Sequence, residues 1–400
     1  METELSLVER LWREIARTEL SDMSVKLMAA VIVTALTPVI VYLLRKFWAW
    51  ASGIALCNRK LARAKKAVAD DGRGLWLNIE PAQPDRYRDD LEKSIPIITL
   101  ANLKGGVGKT TTAANLIAHF AIKKGKRVLG IDLDFQGSLS GMALSKDQIR
   151  THHENQASGE RCKASRLIAN RDADWLVNIA EPVANVASAR LVPAFYTLAG
   201  SENRLMVEWL LGLKTDDIRY NLAATLLNSR VQRQFDLIVI DAPPRLTTAC
   251  IQALCASTHV LIPSILDKTS AVAVGTFADQ LVNHEELWPH LQVIGALGTM
   301  ASQNPFDAEG QPRDRPLSDT EADAYIAMRD TLRAALERSR TRLKLGSILP
   351  EACLIPDKAE IGRAAGNVIA YAQTGSARPV LEIRAIFDRL GDEIDRRLKT

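Results

Sequence analysis

Cysteine is scarce in this chain. There are five in 400 residues, and none stands in a CxxC or CxxH spacing. A thiolate metal site or iron–sulfur cluster is therefore disfavoured, and ordinary reduced thiols suit a cytosolic body. No internal repeat and no low-complexity tract occurs, so a solenoid or a long disordered arm is not expected. Charge of one sign is also wanting overall: the formal net charge is +4, too small to diagnose a nucleic-acid partner. The one dense basic run of the body, RSRTRLK at 338–344, is interleaved by no aromatic residue and reads as a solvated helix face.

Two local absences say more. Residues 27–44, LMAAVIVTALTPVIVYLL, contain no charge, and residues 45–66 contain no acid beside Arg45, Lys46, Arg59, Lys60, Arg63, Lys65 and Lys66. Eighteen residues at helical rise reach about 27 Å, enough to cross the core of a bilayer. Trp48 and Trp50 follow as interfacial aromatics. We therefore expect a single transmembrane helix over 27–50. The basic flank places the C-terminal body on the cytoplasmic face of the inner membrane and brings residues 27–66 against lipid. Residues 1–26 form an amphipathic segment, with Leu5, Val8, Leu11, Trp12 and Ile15 on one helical face. Residues 51–94 are a basic juxtamembrane linker, irregular where Gly, Pro and charge mix over 67–94.

From residue 95 to 400 the pattern changes. Short apolar runs at 95–102, 127–134, 235–242, 259–265 and 291–300 alternate with helical stretches. Runs of that length suit parallel strands buried on both faces, so the fold class is α/β, a doubly wound, mostly parallel sheet with helices on both faces. The polar, Pro-rich stretch 304–320 is expected to be a mobile loop. The terminal helix 382–400 carries Ile386, Leu390, Ile394 and Leu398 on one face, as core packing requires.

The chemistry lies in KGGVGKTT, residues 104–111, which follows a predicted strand and opens a helix. Gly105, Gly106 and Gly108 let the backbone around Val107 wrap a phosphate group, and the helix N-terminus adds a positive dipole. Lys109 is expected on the β- and γ-phosphates of ATP, Thr111 at the same helix start, and Thr110 on Mg²⁺. Two further strands end in acid: GIDLDFQGS supplies Asp132 and Asp134, and DLIVIDAPP supplies Asp241. Carboxylates at the C-terminal ends of parallel strands converge on the crevice beside the loop, where one can serve Mg²⁺ and another can orient water.

KGGVGKTT, IDLDFQGS, VIDAPP and HVLIPSILDKTSAVAV (259–274) together resemble the ParA/MinD class of deviant Walker ATPases, a branch of the P-loop NTPases. The resemblance runs over about residues 95–398 and is closer to the ParA partition type, with Phe135 where those proteins have proline. It implies a homodimer formed on ATP binding, in which Lys104 reaches the partner's nucleotide. It also implies that Asp134 positions the hydrolytic water, with Asp132 beside it near Mg²⁺. The catalytic set is then Lys104, Lys109 and Asp134, and the metal set Thr110, Asp132 and Asp241. Family members coat nonspecific DNA through basic residues, but Asp357 and Glu360 beside Lys358 argue against DNA here. The expected function is a membrane-anchored ATPase that switches recruitment of a protein partner at the membrane. A membrane-tethered bacterial tyrosine kinase and a non-hydrolysing ATP-binding scaffold are the alternatives. The first lacks the expected tyrosine cluster, since only Tyr371 falls in the last 70 residues.

Overall fold

The structure is a computed structural model that describes residues 13, 31, 37–53, 58, 62, 79–307, 311, 313–339, 348–364 and 368–399. The chain divides into two units, 1–69 and 70–400. In the first, residues 37–53 are helical, and Val39, Ile40, Tyr42, Leu43, Leu44, Phe47, Trp48 and Trp50 are all exposed on it. No described helix is long and apolar enough to cross a membrane. Residues 27–36 of the expected span, Val31 apart, lie outside the described residues, as do most of 1–26 and of 51–78.

The second unit is built on one eight-stranded sheet in the order β3-β4-β2-β5-β1-β6-β7-β8. The strands are β1 Ile97–Leu100, β2 Val128–Asp132, β3 Glu181–Val183, β4 Val186–Val192, β5 Leu237–Asp241, β6 His259–Ile265, β7 Gln292–Ala301 and β8 Ile355–Pro356. Only β3 runs antiparallel, against β4; every other pairing is parallel. The five strands expected from apolar runs are all present. Every residue of β1, β2 and β5 is buried, which is why they read as unbroken hydrophobic stretches. β3 and β4 were not expected as strands. Near the sheet's edge β4 mixes buried and exposed positions without a regular period, and Pro182 breaks the signal of β3.

Two expected loose segments are held in place instead. The lead-in becomes ordered from residue 79: the buried Arg219 guanidinium donates to the carbonyls of Ile79 and Glu80, and Asp217 accepts from Ala82 N–H. A short helix, Tyr87–Glu92, buries Tyr87 and Leu91. The excursion 304–320 is irregular but not loose in its described part. Phe306 lies 3.7 Å under the Arg389 guanidinium, and Ser302 and Ser318 both donate to the Glu321 carboxylate. The Phe306–Arg389 contact pairs residues far apart in sequence, so composition alone suggested mobility.

The helix Lys109–Ile122 packs against the sheet, and the C-terminal helix Arg378–Arg397 crosses it. Ile386, Leu390 and Ile394 of the latter are buried, as expected of core packing. Asp388 joins the two helices: it accepts from Tyr371 Oη at 2.6 Å, pairs with buried His119 Nδ1 at 2.9 Å, and meets Lys123 at 3.1 Å. Lys124 and Lys126 continue the seam onto Asp392 and Asp395.

His259 opens β6 nearly buried, its Nδ1 2.7 Å from Thr258 Oγ1. Burial pushes its pKa down from 6.5 to about 4, against a smaller opposing hydrogen bond to Gln292. A base with a depressed folded pKa charges first in the unfolded chain. Its contribution is therefore full above pH 6.5 and is lost as pH falls from 6.5 towards 4. A difference of 2.5 units corresponds to about 3 kcal/mol. His259→Gln should remove most of that acid sensitivity, read as the change in denaturant midpoint between pH 7 and pH 4.5.

Candidate functional site

The loop after β1 is tied to the next two strands of the sheet, β6 and β7. β1 lies between β5 and β6, so its C-terminal end opens in the middle of the molecule. The Asn102 side chain donates to Pro263 O of β6 and accepts from Lys104 N–H at 3.1 Å. Thr299 Oγ1 of β7 donates to Val107 O at 2.9 Å. Gly108 caps the helix Lys109–Ile122 at φ 77°, a conformation that L side chains rarely adopt. The helix starts without any side-chain cap, so its first N–H groups remain available to an anion.

Lys109 is buried, and its Nζ donates to Lys104 O at 3.0 Å. Burial lowers its pKa, opposed by the Asp241, Cys250 and Asp134 groups around it. Lys104 points the other way. Its ammonium meets Asp267 Oδ2 at 3.1 Å, Thr269 Oγ1 at 2.9 Å and Ser270 Oγ at 2.6 Å, all at the start of the helix Lys268–Asn283.

Opposite the loop stand the carboxylates. Asp132 and Asp241 are register partners on β2 and β5, and both are fully buried. Asp132 is engaged: Oδ1 accepts from Asp134 N–H, and Oδ2 accepts from the N–H and hydroxyl of Ser140 at 2.9 and 2.7 Å. Neither oxygen of Asp241 finds a donor. Burial holds both acids well above the usual carboxylate range. For Asp241 the neighbouring Asp132 adds to this, while Thr110 and Lys109 offset part of it. A buried acid with two unpartnered oxygens beside a hydroxyl fits a hard divalent cation. Of the three expected metal ligands, Asp241 has two oxygens without a donor and Thr110 stands beside it, whereas Asp132 already accepts three hydrogen bonds. Asp134 is half-buried, its Oδ1 accepting from Gln136 N–H at 3.0 Å. Gly137 closes that turn at φ 65°; a Cβ there would stand 2.7 Å from Ala194 O.

Two features escaped sequence reasoning. Glu202 lies buried beneath the segment after Asp241 and accepts from Ala249 N–H at 2.8 Å, its pKa raised by burial and by the Asp134 charge. The second is a cavity of about 110 Å³ beside the loop, lined by Gly108, Thr111, Thr299, Met300, Pro356 and Asp357. It gathers β7, β8 and the loop, which nothing local in the sequence could bring together.

Residues 95–291 match a family model described as an AAA domain. The chain is 36% identical over 168 residues to the sporulation initiation inhibitor protein Soj of Bacillus subtilis, covering 42% of this chain and 57% of that one. It is 32% identical over 216 residues to the chromosome-partitioning ATPase Soj of Thermus thermophilus, covering 52% of this chain and 71% of that one. The chain belongs to the ParA/Soj family of P-loop ATPases. The match thus spans little more than half of the Bacillus relative. In the solved structures, pNOB8 ParA bound to nonspecific DNA shares the fold, with a TM-score of 0.52 at 22% identity over 76% of this chain and 99% of that one. Every residue of the expected ATP site, from Lys104 to Thr111 with Asp132, Asp134 and Asp241, lies at the C-terminal ends of β1, β2 and β5 of this ParA-like sheet.

Ser140 carries much of that arrangement, since its hydroxyl also accepts from Ala194 N–H at 3.0 Å. Ser140→Ala should cost about 1–3 kcal/mol through the lost hydroxyl, which serves both buried Asp132 and Ala194 N–H, measured by chemical denaturation at pH 8.

Proposed function

We propose that this chain is a membrane-anchored ATPase switch. ATP binding brings two copies face to face across their nucleotides, and hydrolysis separates them again. The observation that carries the reading is the divergence of the two loop lysines. Lys109 is folded into its own loop, while Lys104 stands outside it with its ammonium on Asp267. A cation at the rim of one site can serve the nucleotide of a second copy. Two facing triphosphates concentrate negative charge, and one lysine from each subunit offsets it.

Within each site Lys109 holds the β- and γ-phosphates, helped by the N–H groups from Gly105 to Thr111, and the base lies in the cavity by Met300 and Pro356. Thr110 and Asp241 would hold Mg²⁺, with Asp132 behind them fixing the turn that presents Asp134; the ion supplies positive charge against the phosphate oxygens. Asp134 orients the attacking water. The exposed aromatic and aliphatic face of residues 37–53, the uncharged run before it and the basic flank after it support a single-pass anchor in the inner membrane. The ATPase body would then face the cytoplasm and recruit a protein partner there. DNA is the weaker partner: Lys358 beside the cavity is paired with Glu382, and Glu360 adds acid to the same turn.

Sedimentation of the purified full chain tests the switch. It should be monomeric without nucleotide and dimeric with ATP when Asp134→Ala blocks turnover, whereas Lys104→Ala should remain monomeric and lose about 100-fold or more in ATP turnover. Identical sedimentation of these forms would refute the proposal. Alkaline carbonate washing of membranes should leave the chain in the pellet; quantitative release would refute the anchor alone.

A further inference from the structure

Glu202 is a buried acid that none of the steps above uses. It lies in the helix Thr197–Leu210 and is 7% exposed. Its Oε1 accepts from Ala249 N–H at 2.8 Å, and the Thr247 hydroxyl bonds to the same carboxylate. Thr247 in turn caps the helix Thr248–Ala256 by accepting from Cys250 N–H, and Thr248 Oγ1 donates back to Glu202 O at 3.4 Å. A negative group suits a helix N-terminus. A cap normally comes from the residue at the helix start, and Thr247 already fills that place. Glu202 reaches the same N-terminus from 47 positions upstream, so its bonds join two elements rather than finish one.

Each of those elements leads to one carboxylate of the site. Only residues 242–247 separate Asp241 from the helix Thr248–Ala256. Pro243 and Pro244 give that segment no N–H of their own. Ala242 N–H goes to Leu100 O at one end, and Thr247 N–H closes a tight turn onto Arg245 O at the other. Glu202 fastens that far end to the neighbouring helix. On the opposite side, the helix Thr197–Leu210 follows Ala194. Ala194 N–H donates to Ser140 Oγ, and a Cβ on Gly137 would stand 2.7 Å from its carbonyl oxygen. Gly137 N–H closes its own turn onto Asp134 O at 2.9 Å. A continuous run of contacts therefore leads from the Asp134 turn through Ala194 and Glu202 to the segment after Asp241. The charges meet there as well. Burial first, and then the Asp134 charge, raise the pKa of Glu202, while Cys250 beside Ala249 is acted on by both Glu202 and Lys109. The bonds of the Glu202 carboxylate nevertheless go to Thr247 and Ala249, not to the loop 104–111.

We propose that Glu202 is a positioning residue for ATP hydrolysis: by tying the start of the helix Thr248–Ala256 to the helix that follows the Asp134 turn, it fixes Asp134 relative to Asp241. The place of the attacking water against the γ-phosphate follows from that separation. The inference rests on the roles of Asp134 and Asp241 proposed above. Nucleotide binding belongs to the loop after β1, so the effect of Glu202 falls on turnover and not on affinity.

Three variants separate position from charge. Glu202→Ala removes both acceptors. Glu202→Asp keeps the charge but is one methylene shorter. Glu202→Gln loses the charge and keeps the reach, with an oxygen for Ala249 N–H and an amide N–H for Thr247 Oγ1.

In the full chain, Glu202→Ala and Glu202→Asp should each lower kcat about tenfold or more, because small misplacements at a reacting centre are costly. Their Kd for ATP, read by equilibrium dialysis, should stay within about threefold of the parent, and Glu202→Gln should restore kcat to within about threefold. A role confined to stability predicts an unchanged kcat per folded chain with a lower denaturation midpoint, and that result overturns the proposal. So does a loss of ATP affinity as large as the loss of kcat, or a Gln variant as slow as the Ala variant. Hydrogen exchange supplies a readout apart from activity. Amides of residues 242–249 should exchange several-fold faster in Glu202→Ala than in the parent or Glu202→Gln, and equal exchange overturns the tie. Should Glu202→Ala fail to fold by circular dichroism, Thr247→Val decides, with a fall in kcat of about threefold expected and parental kcat overturning. Asp134→Ala separates the two levels. If it retains turnover, the reading of Asp134 itself fails; if it abolishes turnover while Glu202→Ala keeps the parental kcat, only the role of Glu202 fails.

Discussion

Two buried carboxylates on adjacent strands set the terms for the whole site. Asp132 and Asp241 are register partners in the centre of the sheet, where water cannot solvate them. Ionising both there is costly, which is why burial holds both acids above their ordinary range. The site resolves this asymmetrically. Asp132 receives the Ser140 pair and the Asp134 amide, while Asp241 is left bare among Lys109, Thr110 and Asp134. One acid therefore organises the turn, and the other remains open to a cation. Loop, turn and strand ends are arranged around that difference.

The two lysines distribute positive charge on a second scale. Lys109 lies inside, near Asp241, with its pKa lowered by burial. Lys104 lies at the rim with an acceptor for each of its protons. Each ammonium group thus has acceptors within its own chain.

The sequence and the structure agree where chemistry is local. The glycine spacing of 104–111, the strand before it and the acids at 132, 134 and 241 are contiguous signals, and each landed where it was expected. Burial on both faces made β1, β2 and β5 legible as apolar runs. Apart from the edge strands β3 and β4, disagreement falls on segments whose order comes from distant partners. Residues 79–82 are held by Arg219 and Asp217, more than 130 positions away, and Phe306 by Arg389. Their Gly, Pro and charge content resembles that of loops because the stabilising groups lie elsewhere in the chain. Glu202 was hidden for the same reason: a lone glutamate on a helix carries no signal until Ala249 N–H is placed above it.

By itself the amino-acid order determined the loop, the strand-end acids and the doubly wound class, because these depend on spacing within a few residues and on the period of buried positions. Tertiary structure alone decided which acid is committed and which is bare, and where the rim lysine rests. Those outcomes depend on Ser140 reaching β2 from the following helix and on Asp267 reaching the loop across β6. Such distances are fixed only when the sheet has assembled.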